Sequence, residues 1–275
     1  MVSAAQKALL LQAVRDAARD EILPRFRALE ASDISTKSGP SDLVTLADTR
    51  AEAAIAAAVE AGWPEARVIG EEGVAADKEL RGEMAAPGPV VIVDPVDGTW
   101  NFAKGLAVFG VILAVAVEGR PVYGLLYDPV MDDWIEAEAG GPAEFVSPAR
   151  RRVLATSKEE RKSRMTGYVP FGLFPRPMRG RIAQETTVFN RIQTLRCSAH
   201  EYRMLAQGHV EFVLSGPVPH PWDHAAGVLA VERAGGVARF LDGGAYETGR
   251  RKGVLLTAGS EAAWEKVAER FSFLG

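Results

Sequence analysis

The stretch Val90–Lys104, VVIVDPVDGTWNFAK, sets two carboxylates, Asp94 and Asp97, at the end of an apolar run and follows them with Gly98 and Thr99. Carboxylate oxygens are the ligands that hard divalent cations such as Mg²⁺ take, and backbone N–H groups at a helix start suit a phosphate. A turn of this composition can therefore hold both. Further acids occupy comparable places: Glu71-Glu72 directly after Arg67-Val68-Ile69-Gly70, Asp223 at the head of a helix-like run, and Asp48 three residues after Thr45. Carboxylates converging from different elements are what a two- or three-ion site for phosphoryl chemistry requires. Each acid also has a plainer reading. Asp97 and Asp223 are good helix caps, Thr45 and Asp48 have the spacing of a capping box, and a glutamate pair suits a solvated turn.

The elements that must position these side chains follow from the apolar pattern. Val90–Val93 reads as a strand buried on both faces that stops at Asp94, since Pro95 cannot continue a ladder, and Asp97-Gly98-Thr99 can open a short helix through Trp100-Asn101-Phe102. Arg67–Gly70 reads as a second strand. Upstream, Leu9, Leu10, Val14, Ala17, Ala18 and Ile22 form a helical stripe within Val2–Leu29, Ser32–Ser41 reads as a polar loop, and a long helix starts near Thr45 with Ala51, Ala54, Ile55, Ala58 and Val59 on one face. Ala107–Val117 and Pro121–Asp128 suggest a hairpin about Glu118-Gly119-Arg120, and Trp134–Ala139 a further strand. Strands and helices then alternate to a last helix from Ser260, as in an α/β layer. The Gly-, Pro- and Arg-rich stretch Gly140–Arg152 marks the best internal boundary, dividing the chain into 1–145, with most of the candidate ligands, and 146–275, with Asp223.

The 275 residues can bury a large core, and 47% hydrophobic with 25% charged residues is ordinary for a soluble globular protein. A net charge of −4 argues against a sequence-independent nucleic-acid surface. Cys197, the only cysteine, excludes an internal disulfide and cysteine-rich zinc sites and suits a reducing cytoplasm. The N-terminus lacks the apolar segment of a signal peptide, and no window reaches the length of a membrane span. His224 reads as structural, Cys197 has no visible base partner, and of Arg161, Arg164, Arg176, Arg179, Arg181 and Arg191 most read as solvated, one or two as able to reach an anionic group.

In order along essentially the whole chain, Asp42-Leu43-Val44-Thr45-x-x-Asp48, Gly70-Glu71-Glu72, Asp94-Pro95-Val96-Asp97-Gly98-Thr99 and Trp222-Asp223 with Ala225-Ala226-Gly227 resemble the inositol monophosphatase family of metal-dependent sugar and polyol phosphatases. The resemblance implies a layered αβαβα sandwich of the inositol monophosphatase/fructose-1,6-bisphosphatase type, dependence on two or three Mg²⁺ ions, frequent Li⁺ inhibition and commonly a homodimer. Carried residue by residue, it makes Glu71, Asp94, Asp97 and Asp223 the metal carboxylates, with the Val96 carbonyl as a further ligand. Thr99, paired with Asp48, would orient the attacking water, with Glu71 counted among the catalytic groups. The Gly98 and Thr99 amides would hold phosphate oxygens, and Asp97, Asp223 and His200 would face the substrate.

Charge counting agrees. A phosphomonoester near pH 7 carries about −1.5 to −2, so four carboxylates without cations would repel it; two Mg²⁺ neutralise the protein charge and a third leaves the site positive. Inositol 1-phosphate is the leading substrate by family frequency. Inositol-selective members, however, generally place a sugar-binding glutamate seven residues before the aspartate of the Trp-Asp pair, and Gly216 stands there here, with Glu211 further upstream. Histidinol phosphate, fructose 1,6-bisphosphate and nucleotide 3′-phosphates are the alternatives within the family. A regulator that associates with the RNA machinery is the alternative outside enzymology.

Overall fold

The computed structural model describes residues 1–39 and 42–275. Helix α1 (Ala4–Ala17) starts in a capping box between Ser3 and Gln6, then runs on through a π turn, Ala18–Ile22, and a 3-10 turn, Leu23–Arg25. Of the expected stripe, Leu10, Val14, Ala17, Ala18 and Ile22 are buried. Strands β1 (Ile34–Gly39) and β2 (Asp42–Thr45) then pair as an antiparallel ribbon, which corrects the loop expected over Ser32–Ser41; residues 40 and 41 lie outside the described ones. Helix α2 (Leu46–Gly62) buries Ala51, Ile55 and Val59 but leaves Ala54 exposed.

Next come β3 (Arg67–Gly70), α3 (Glu71–Ala76), β4 (Pro89–Asp97), α4 (Thr99–Ala103), β5 (Gly110–Val117), β6 (Arg120–Asp128), β7 (Asp133–Glu138), β8 (Glu144–Ser147) and β9 (Arg150–Val153). These seven strands form one sheet in sequence order, and the β5–β6 hairpin closes through Glu118 and Gly119, both in the left-handed region that a two-residue turn needs. The sheet extends through the expected boundary at 145/146, which falls inside β8. The second half supplies β10 (Thr166–Tyr168), α5 (Arg176–Thr186), β11 (Arg191–Gln193), α6 (Ser198–Ala206), β12 (Phe212–Leu214), α7 (Pro221–Arg233), β13 (Val237–Phe240), β14 (Leu255–Ala258) and α8 (Glu261–Phe271), its strands ordered β11-β10-β12-β14-β13 in a second sheet.

Three apolar clusters show how these pieces stack. One face of the first sheet, through Val91, Val93, Leu113 and Leu125, packs on α1 and α2. Its other face, through Ile92, Ile112, Ala114 and Leu126, packs on α6 and α7, which also cover the second sheet at Val213, Ala238 and Leu255. The far face of that sheet packs on α5 and α8 through Phe212, Leu256, Ile182 and Val267. The layers are therefore helix, sheet, helix, sheet, helix: the αβαβα sandwich that the sequence resemblance implies. In the middle layer α6 and α7 approach closely because Gly227 has no side chain; a Cβ there would meet the Tyr202 ring at 2.2 Å.

Strand β4 lies between β3 and β5, with Val91, Ile92 and Val93 wholly buried. Full burial of such side chains contributes about 1.5–3 kcal/mol apiece, enough to fix the strand while carboxylates repel one another at its end. The strand does not stop at Asp94 as expected. Its pairing with β5 breaks after Asp94↔Ile112 and resumes at Asp97↔Gly110, and Pro95, which has no N–H to donate, falls in the irregularity.

Candidate metal centre and active site

In a regular strand, residues three apart point to opposite faces. The irregularity between Asp94 and Asp97 re-aims one of them, so that both carboxylates turn to the same place. Asp223, in the first turn of α7, joins them: single oxygens of Asp94, Asp97 and Asp223 lie within 4.8 Å of one another, with Asp94 and Asp97 buried and Asp223 partly so. Helix α7 carries Asp223 in from the second half of the chain.

Neighbours fix each carboxylate. Asp97 does not cap α4. Its Oδ2 accepts the Ala199 N–H at 2.6 Å and the Cys197 thiol at 3.0 Å, which leaves Oδ1 as the oxygen to present to a cation. Asp94 Oδ1 accepts the Val96 N–H at 3.2 Å, and Asp223 is hydrogen-bonded to Asp94. Burial first, then the charges of Glu71 and Asp97, raise the Asp94 pKa well above the carboxylate range; burial, then Asp97 and Glu71, do the same to Asp223. For Asp97, burial is opposed by its donors, and the result is about 6. Crowded, buried oxygens that resist ionisation form a cavity for positive charge. The all-oxygen donor set of Asp94, Asp97 and Asp223 fits a hard divalent ion such as Mg²⁺, which these three residues would hold.

Glu71 stands outside that trio, at the start of α3, where Lys37 of β1 reaches its Oε1 at 2.7 Å and the Oε1 of Glu72 at 2.6 Å. Glu72 is raised to about 7 by burial and then by the Glu71 charge. Below them Glu52 of α2 grips the first turn of α3, accepting from Glu72 N at 2.8 Å and Gly73 N at 2.7 Å. Neither glutamate is the free residue of a solvated turn.

Asp48 makes both the capping contact and the contact to Thr99, one with each oxygen. Oδ2 completes the capping box, accepting the Thr45 N–H and hydroxyl, while Oδ1 accepts the Thr99 hydroxyl at 3.0 Å. That hydroxyl also lies 3.0 Å from the Val96 carbonyl, which ties the expected backbone ligand to the Thr99–Asp48 pair. Burial, only partly offset by the Thr45 bonds, brings Asp48 to about 6. Gly98 caps α4 at φ 87°, and a Cβ there would meet the Val108 carbonyl at 2.9 Å and the Cys197 Cβ at 3.2 Å, so the backbone path to the Thr99 amide is open to glycine alone.

The other residues singled out from the sequence have partners of their own. His200 Nε2 is 3.0 Å from the Phe109 carbonyl and 3.9 Å from Asp128, and burial lowers its pKa. It packs between α6 and the first sheet. His224 is buried against the Tyr202 hydroxyl at 3.0 Å, lowered by burial to about 3, and is structural as expected. Gly216 is buried against Leu173, and the Glu211 carboxylate is engaged by the Thr166 N–H at 2.7 Å, so it does not replace a glutamate at 216. Arg161 pairs with Glu159, Arg179 donates to the Phe174 and Gly172 carbonyls, and Arg181 lies over Phe273. Lys37 and Glu52 were not singled out from the sequence. Glu52 lies one helical turn after Asp48, on the same face of α2, and that spacing is the signal that could have found it.

The inositol monophosphatase family model matches residues 6–273. A Thermotoga maritima protein named fructose-1,6-bisphosphatase/inositol-1-monophosphatase is 30% identical over 213 residues, 77% of this chain and 76% of its own length. The Nus factor SuhB of Escherichia coli K12 is 30% identical over 235 residues, 81% of this chain and 80% of its own. Among solved structures, the extragenic suppressor protein suhB of Bartonella henselae superimposes with a TM-score of 0.79 at 25% identity, covering 97% of this chain and 98% of that one.

Proposed function

The chain belongs to the inositol monophosphatase family, and from that premise we propose that it is a Mg²⁺-dependent phosphomonoesterase acting on a small polyol or sugar phosphate, with inositol 1-phosphate as the first substrate to test. The observation that carries this reading is the convergence of Asp94, Asp97 and Asp223 within 4.8 Å, beside a Thr99 hydroxyl already held by Asp48. A divalent cation bound to such carboxylates supplies charge neutralisation and Lewis-acid polarisation of a phosphoryl group. Two or three ions would be held by Asp94, Asp97, Asp223, Glu71 and the Val96 carbonyl.

The protein's own groups then do the rest. Asp48 Oδ1 accepts a hydrogen bond from the Thr99 hydroxyl, which turns the lone pairs of that hydroxyl outward to accept from a water and aim it at phosphorus. A carboxylate near pKa 6 is mostly ionised at pH 7.5, so Asp48 can draw a proton from the water through Thr99 as the P–O bond forms. The Gly98 and Thr99 amides hold non-bridging phosphate oxygens. The group that leaves is the substrate alkoxide, and no phosphorylated side chain intervenes. As in much of the family, we expect a homodimer working in the cytoplasm; no described helix is long and apolar enough to cross a membrane.

A panel of phosphomonoesters incubated with the purified protein and Mg²⁺ tests the reading and ranks inositol, histidinol, sugar and nucleotide phosphates. Release of no phosphate from any of them would refute it. The likeness to a relative named Nus factor SuhB favours a second reading, a regulator of the transcription machinery. Asp94→Asn separates the two, because hydrolysis should vanish while partner binding that ignores metal survives.

A further inference from the structure

Arg81 is buried at 9% exposure in the 3-10 segment Lys78–Ala85, which directly follows α3 and its Glu71. Its guanidinium donates to three backbone carbonyls: Thr248 at 2.8 Å, Arg250 at 3.1 Å and Pro219 at 3.2 Å. Pro219 lies two residues ahead of α7, whose first turn holds Asp223, and the same guanidinium lies 5.9 Å from the ring centre of Trp222, the residue beside Asp223. It also donates to the Met84 sulfur at 3.6 Å. A buried arginine normally has a carboxylate partner, because leaving its charge uncompensated is costly. The described hydrogen-bond partners of Arg81 are three carbonyls and a thioether, none of them a carboxylate, and Asp223 is the carboxylate whose charge acts on it.

We infer that Arg81 is a positioning residue for the metal centre: it locks the approach to Asp223 to the segment behind Glu71, so that carboxylates from the two halves of the chain arrive preset for a shared cation. This rests on the metal-site reading above and goes further, assigning metal affinity to a side chain that is not itself a ligand. Three carbonyls shared between the two terminal guanidinium nitrogens suit the planar five-donor fork of arginine better than the point-like ammonium of lysine. Groups that orient ligands in this way alter metal affinity by about 10–100-fold when removed.

The test is direct Mn²⁺ binding, measured by electron paramagnetic resonance on the full chain without substrate, for wild type, Arg81→Met, Arg81→Lys and Val267→Ala. Val267 lies in α8, in the apolar cluster behind the second sheet, and serves as a control for plain loss of stability. Arg81→Met should weaken Mn²⁺ binding by about 10–100-fold and Arg81→Lys by less, with Val267→Ala unchanged at a comparable fall in melting temperature. If Arg81→Met does not fold, Arg81→Lys alone decides by the same criterion. Folded Arg81 variants that bind within twofold of wild type, or a Val267→Ala shift of equal size, would overturn the inference. Wild type that binds no Mn²⁺ would instead overturn the metal-site reading beneath it.

Discussion

Asp94→Asn should make the metal-free protein more stable and the metal-loaded protein less so. The oxygens of Asp94, Asp97 and Asp223 lie within 4.8 Å, and two unit charges at that distance repel by about 3.5 kcal/mol at an effective dielectric of about 20. The full repulsion is not realised, since a carboxyl of ordinary pKa 3.8 can take up a proton at pH 7 for about 4 kcal/mol, at about 1.36 kcal/mol per pH unit. That sum is the ceiling on what the site costs the apo protein through Asp94. Asn retains the oxygen that accepts from Val96 N, so a gain of about 1–4 kcal/mol is expected, about 2–8 °C in melting temperature for a chain of this size. The sign with pH follows from a folded pKa that is raised. Wild type holds this stability below about pH 4 and loses it as pH climbs, so the advantage of the variant should vanish near pH 4 and be greatest at pH 8. Mg²⁺ at about 1,000 times its Kd adds about 4.1 kcal/mol to a protein that binds it, which offsets the whole of that range and reverses the order of the two. Thermal unfolding in EDTA and in Mg²⁺ reads both arms. A variant less stable than wild type in EDTA at pH 8, or an equal Mg²⁺ response from both, would refute the reasoning.

Thr99→Val removes the hydroxyl between Asp48 and the attacking water and should lower kcat by about 10²–10⁴-fold with Mn²⁺ affinity unchanged, checked by phosphate release and metal titration. Glu201, buried and accepting from Thr194 and Leu195, is raised from 4.5 to about 7 by burial, so its contribution is complete below pH 4.5 and lost as pH rises through 7. Glu201→Gln, which keeps an acceptor and drops the charge, should therefore stabilise the protein by about 3 kcal/mol at pH 8 and not at pH 4, measured by urea unfolding. His200→Ala should lower the melting temperature yet leave KM within about threefold, because the ring addresses the Phe109 carbonyl; a tenfold rise in KM would restore it as a substrate contact.

What could be read in advance depended on whether burial wrote a period into the chain. Strand β4 was legible because both of its faces are covered, so its residues form an unbroken apolar run, and the acids after it stood out by contrast. Ribbon β1–β2 was not, because its exposed Ser35 and Thr36 carry no alternation of apolar and polar residues, and Lys37 was hidden with them. The Gly-, Pro- and Arg-rich stretch at 140–152 imitated a linker for a related reason. It forms the outermost hairpin of the first sheet, where strand β9 is exposed along its length and arginines guard an open edge. The irregularity between Asp94 and Asp97 was hidden for a different reason. Proline predicts where a ladder is interrupted, but whether pairing resumes depends on β5, and Gly110, opposite Asp97, is pressed between the Ala199 side chain and the Tyr127 carbonyl, where a Cβ would come within 2.8 and 3.0 Å. The direction in which Asp97 points is thus set by residues distant in sequence, among them Ala199, whose amide holds its other oxygen. The candidate ligands were readable one by one, whereas the groups that hold Asp97 in place, Ala199 and Cys197, became visible only where separate elements touch.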